Sequence, residues 1–98
     1  MALIHPEKLT LTTSSGSATG NTKRLVGILR QVVVSPATSS TVFDVTITNP
    51  QSSTVYERLS EAGELSEEVQ LPLHGIHTVS LSNATADEEF SIQLILED

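Results

Sequence analysis

The sequence predicts an all-β protein, a single antiparallel β-sandwich (jelly-roll-like or immunoglobulin-like) of about seven strands with an extended N-terminal arm. Three observations carry this expectation. Apolar and polar residues alternate with a period of two in segment after segment, as strands with one buried face require. Clusters of Ser, Thr, Gly, Pro and Asn separate these segments at roughly the 8–12-residue spacing of a sandwich or barrel. The apolar residues are mostly Val, Leu and Ile, with only Phe43, Tyr56 and Phe90 as aromatics, and β-branched side chains suit a pleated surface better than a helix.

Residues 7–13 place Leu9 and Leu11 on one face and Lys8, Thr10 and Thr12 on the other, the pattern of a half-buried strand. Residues 13–21 are small and polar and carry no core-forming side chain, so they read as a loop. Residues 1–21 are therefore expected as an arm and linker, and residues 22–98 as the sandwich domain. Residues 22–34 hold Leu25, Val26, Ile28, Leu29, Val32, Val33 and Val34 around Gly27. They predict one long bent strand or two short ones, ending at Pro36. A helix over 23–31 is the competing reading, and Gly27 and the three consecutive valines weigh against it.

After a Ser/Thr turn at 37–41, residues 42–48 alternate cleanly, with Phe43, Val45 and Ile47 inward and Asp44, Thr46 and Thr48 outward. The stretch Asn49-Pro50-Gln51-Ser52-Ser53 has turn chemistry. A short strand follows at 54–59 and an acidic loop at 60–66. Strands are then expected at 67–73, at 76–82 with His77, Val79 and Leu81 on one face, and at 90–96 with Phe90, Ile92, Leu94 and Leu96 inward. Ile95 lies on an otherwise polar face. No internal repeat appears at solenoid or propeller periods.

The 98 residues suit one domain. With no cysteine, disulfides and thiolate metal sites are excluded, and a reducing compartment is favoured. No run reaches the roughly 20 apolar residues of a membrane helix, and the first residues lack a signal peptide's basic and apolar regions. No membrane partner is expected, and synthesis in the cytoplasm is. The net charge of −7 is unevenly spread. Residues 1–50 have four cations against two acids, and residues 51–98 have one against ten, giving +2 and −9. Phosphate repels so acidic a chain, which argues against nucleic acid, and the asymmetry suits head-to-tail contact between copies.

Catalytic patterns are missing from the sequence. His74 and His77 are three apart, so on a strand their imidazoles diverge, and no carboxylate spacing completes a zinc site. The acids Glu57, Glu61, Glu64, Glu67, Glu68, Asp87, Glu88 and Glu89 fall in turns or outward positions without aromatic walls. There is no Gly-x-Ser-x-Gly elbow. Gly16-Ser17-Ala18-Thr19-Gly20 lacks the Gly-Lys-Ser/Thr ending of a phosphate loop. Asn83-Ala84-Thr85 fits a glycosylation sequon, which matters only in an exported chain. Neither an enzyme nor a cofactor is predicted.

Arg24 to Val34, then Pro36 and a short turn into Val42-Phe43-Asp44-Val45-Thr46-Ile47-Thr48-Asn49, followed by Leu71-Pro72-Leu73-His74-Gly75-Ile76-His77-Thr78-Val79 and Asn83-Ala84, resemble small virion structural proteins of tailed bacteriophages. The resemblance covers about residues 9–96 and carries no catalytic motif. It implies a capsid decoration or cement protein that binds and stabilises the shell at the virion surface. Its implied partners are the major capsid protein or other virion proteins, as a homo-oligomer with a trimer favoured. A tail, connector, head-fibre or receptor-binding role is the alternative. The residues expected to meet partners are Leu9 and Leu11 on the arm, Lys23, Arg24, Arg30 and Ile95. The arm is expected to add a strand to a neighbour.

Overall fold

A computed structural model describes residues 4–38, 40–85 and 87–97. Met1–Leu3, Ser39, Ala86 and Asp98 lie outside the described residues, and with them the start of the expected arm and single positions in two expected turns. No helix among the described residues is long and apolar enough to cross a membrane.

The described residues form six strands, β1 (Ile4–Thr12), β2 (Ala18–Pro36), β3 (Val42–Thr48), β4 (Thr54–Ala62), β5 (Leu65–Ser82) and β6 (Glu89–Glu97). All pairings are antiparallel, in the order β1-β6-β2-β5-β3-β4. The all-β expectation holds. The expected strands at 67–73 and 76–82 are one continuous strand, β5, because Gly75 bends the chain without breaking the ladder to β2. The expected loop at 13–21 is largely ordered. Ser14 bridges Ser17 across a tight turn, and β2 begins at Ala18 and pairs with Leu81. The segment expected as an arm reaching a neighbour pairs along β1 with β6 of its own chain, from Ile4↔Glu97 to Thr12↔Glu89.

β2 and β5 are too long to lie in one flat layer. β6 pairs only with the second half of β2, from Ile28 onward, and β3 only with the end of β5. Between these stretches both long strands turn at Gly27 (φ 134°) and Gly75 (φ 99°), backbone conformations that favour glycine. A Cβ on Gly75 would also lie 2.8 Å from Pro50 Cγ. The sheet thereby folds over itself. Phe43 of β3 and Phe90 of β6 meet edge to face with ring centroids 5.3 Å apart, although β2 and β5 separate their strands in the sheet. Leu11 of β1 sits over Gly20 of β2, where a Cβ would lie 2.6 Å from Leu11 Cδ2. The small residue there makes room for the edge strand.

The core follows the period-two pattern. Leu25, Leu29, Val32 and Val34 of β2, Phe43, Val45 and Ile47 of β3, and Phe90, Ile92, Leu94 and Leu96 of β6 are buried. Exchanging β1, β2 and β3 with β4, β5 and β6 reverses the sheet order onto itself, so the fold has an approximate internal twofold. Gly27 then corresponds to Gly75, and Phe43 to Phe90.

One end of the sandwich is tied by a buried carboxylate. Glu88 Oε2 accepts from Thr38 N–H at 2.6 Å and from Thr41 Oγ1 at 3.0 Å, and Glu88 N–H donates to Thr13 Oγ1 at 3.0 Å. Thr13 N–H donates back to the Glu88 carbonyl at 2.9 Å. Three connections are thus held by one residue that is 8% exposed. Replacing Glu88 with alanine leaves buried donors unpaired, at a cost of about 1–3 kcal/mol. Chemical unfolding should show that loss for Glu88→Ala, while exposed Glu89→Ala stays within about 0.5 kcal/mol of the parent. Equal effects from the two would refute the tie.

Candidate interaction surface

The titratable groups that depart from ordinary values serve the fold. Tyr56 and Arg58 of β4 both reach Glu67 of β5. Tyr56 OH donates to Glu67 Oε1 at 2.7 Å, and the Arg58 guanidinium contacts Glu67 Oε2. The guanidinium carbon also lies 5.2 Å from the Tyr56 ring centre. Arg58 first, and then the Tyr56 hydroxyl, hold the Glu67 carboxyl below the usual range. Burial, reinforced by Glu67, pushes the Tyr56 phenol up. Asp44 accepts from Ser60 N–H at 2.7 Å and Asn83 Nδ2 at 2.6 Å, which lowers its pKa. These contacts pin edge strand β4 and the turn after β5.

The histidines diverge as expected. His74 is exposed, and His77 is buried with its ring Nδ1 3.1 Å from the Gly75 carbonyl and its backbone N–H donated to Thr22 Oγ1. Among the described residues no group of three His, Asp or Glu is placed to hold a metal ion.

The expected partner residues fall in three places. Leu9 and Leu11 point inward. Leu11 is buried in the core and Leu9 packs against it, so both carry packing. Arg30 and Ile95 come together on the outer face of β2 and β6. They line a shallow groove of about 780 Å³ with Ile4, Gln31, Glu68 and Glu97, and Arg30 Nε lies 3.4 Å from Glu97 Oε1.

Lys23 and Arg24 are exposed at a register shift in β2 between Asn21 and Arg24, where Glu7 Oε2 accepts from Lys23 N–H at 3.1 Å. Arg24 stands opposite Ile76, and Val26 opposite His74, on the outside of the bend. Val26 and Ile76 are each 53% exposed. The result is an apolar pair beside two cations and an imidazole on a chain of net charge −7. Sequence reading missed Val26, His74 and Ile76 as members of this surface. Their signal is the outward phase around Gly27 and Gly75, which shows only once the two strands are known to pair there.

No protein-family model and no curated protein sequence matches the chain. Solved structures do. The infectious bursal disease virus VP2 subviral particle aligns with a TM-score of 0.51 at 9% identity, over 98% of this chain and 32% of that one. The carbohydrate-binding module CBM36, in complex with calcium and xylotriose, aligns at 0.44 and 9% identity over 100% and 99%. PliG of Aeromonas hydrophila, a periplasmic inhibitor of g-type lysozyme, aligns at 0.46 and 14% over 99% and 88%. At these identities the likeness is one of fold, and this chain spans about a third of VP2.

The shifted carboxyls set the acid behaviour. Glu67 and Asp44 have folded pKa values below their unfolded ones, so their stabilisation is complete above about pH 4 and is lost as pH falls through the folded values. The Tyr56 phenol is raised, so its contribution is present below about pH 10 and is lost above that. Thermal unfolding against pH should therefore show a plateau with an acid limb, shallower in Glu67→Gln, and an alkaline limb diminished in Tyr56→Phe. Unchanged limbs in both variants would contradict the assignment.

Proposed function

We propose that this chain is a non-enzymatic structural module of a virus particle, and more finely a decoration protein that a tailed bacteriophage carries on its capsid. The observation that carries the reading is the surface of Lys23, Arg24, Val26, His74 and Ile76. It combines apolar area that gains from leaving water with cations that steer toward an acidic partner. The sandwich interior behind it is filled by side chains, which suits a building block better than a reaction vessel. The fold-level likeness to a viral shell protein supports the same reading by analogy. The partner on this view is the capsid shell, and binding many copies at lattice positions adds stability by mass action.

The test is co-sedimentation of the purified chain with assembled phage shells, followed by imaging of the decorated particles. Binding should saturate at a ratio set by the shell lattice. Lys23→Glu combined with Arg24→Glu should weaken it about tenfold or more, since like-charge contact costs several kcal/mol, while circular dichroism stays that of the parent. Saturation unrelated to the lattice, or full binding by the charge-reversed variant, would count against this role.

A further inference from the structure

We propose that copies of this chain join head to tail, with β1 of one copy adding to β4 of the next, antiparallel, so that Lys8 faces Glu57 and Glu7 faces Arg58. The inference goes beyond the virion reading and does not need it, because it concerns the two edges of the sheet.

β1 and β4 are the outermost strands, each paired on one side only. Each has a free stretch with a defined end. In β1, Pro6 lacks a donor and interrupts any further ladder before Glu7. In β4 the register with β3 shifts between Phe43 and Val45, opposite Leu59 and Ser60. Ser60 has φ 57°, and its N–H is taken by Asp44. The usable runs are therefore Glu7–Leu11 and Thr54–Arg58. Laid antiparallel with Lys8 against Glu57, both runs stop at the same place, with Pro6 facing Leu59.

The faces agree in this register. Lys8 and Thr10 are exposed on the outer phase of β1, and Glu57 is exposed on the outer phase of β4. On the inner phase Leu9 meets Tyr56. Leu59, 60% exposed, gains cover from Pro6.

Charge and face together select this pairing over self-pairing. Both strands carry an acid followed by a base, Glu7-Lys8 and Glu57-Arg58. An antiparallel crossing of one with the other puts unlike charges opposite in both pairs. β1 against β1 with Glu7 opposite Lys8 sets an inward position against an outward one, and the registers that keep the faces matched put Lys8 against Lys8 or Glu7 against Glu7. β4 against β4 meets the same conflict, and its face-matched registers put Glu57 against Glu57 or Arg58 against Arg58. Like charges directly opposite are destabilising. Among the described residues, neither Lys8 nor Glu57 has an ion-pair partner within its own chain. The contact is heterologous, so an open row keeps one free β1 and one free β4 at its ends until a ring closes.

The experiment uses the purified chain alone, which separates it from any test of shell binding. Sedimentation equilibrium should show a concentration-dependent mass above the monomer, falling as salt rises. Lys8→Glu alone and Glu57→Lys alone should each weaken association by about tenfold or more. Mixed together, the two variants should assemble in strict alternation to the extent of the parent, because each edge of one is matched only by the opposite edge of the other. The double variant should recover the parent's assembly. Circular dichroism confirms that each variant is folded, and Lys8→Gln with Glu57→Gln, which neutralise without repulsion, provide a milder pair expected to weaken association less. A parent that stays monomeric at millimolar concentration, or charge-reversed variants that assemble as the parent does, would overturn the proposal.

Discussion

The antiparallel pairing of β2 with β5 is the constraint on which the rest of the structure depends. Each strand is long enough to serve two layers, and each turns at a glycine near the middle of their shared ladder. Once they are paired and bent, β6 finds its edge on one half of β2, and β3 finds its edge on one half of β5. β1 and β4 then complete the two layers from outside. A straight β2–β5 pair would leave Phe43 and Phe90 out of contact, with two strands between theirs. The bend brings their rings together and closes the core.

Much of this was legible in the sequence because period-two burial is a local property. The span 42–48 was expected as a strand with Phe43, Val45 and Ile47 inward, and that is how β3 lies. The same holds for the inner face of β6, and for His77 beside Val79 and Leu81. The misreadings come from small residues. Residues 13–21 read as a linker because they lack core-forming side chains. Yet Gly20 is small because Leu11 covers it, a requirement set by a residue on another strand. Gly75 read as a strand boundary, where it is a bend within one strand. The internal twofold left no repeat in the sequence because the two halves share a burial pattern and few residues. Phe43 with Phe90 and Gly27 with Gly75 are the traces that remain.

The side-chain ties were out of reach for a related reason. Glu88 looked like one member of an acidic turn, solvated with its neighbours. Its partners Thr13, Thr38 and Thr41 come from two distant connections, and no local spacing announces them. Glu67 likewise sits in a run of acids, and only the approach of β4 gives it Tyr56 and Arg58. A polar group far along the chain from its partners can be counted from the sequence but not matched. The acidic clusters therefore hold some of the most structurally committed carboxylates of the fold beside freely solvated ones.

The internal twofold also gives the uneven charge a geometry. β1 and β4 occupy equivalent places. Lys8 lies opposite Gln93 of β6, and Glu57 lies opposite Thr46 of β3 at the corresponding step of the other half. Nearly the same backbone thus carries a base at one edge and an acid at the other. A molecule with equivalent halves of like charge would meet itself equally well, or equally badly, in every orientation. Opposite charge on equivalent shapes removes that degeneracy and gives the domain a direction, with a more basic end and an acidic one. Polarity of this kind costs the isolated fold little, because the charges concerned are exposed and screened. Its consequences appear when another surface approaches, since only then does the sign of an edge decide which contact forms.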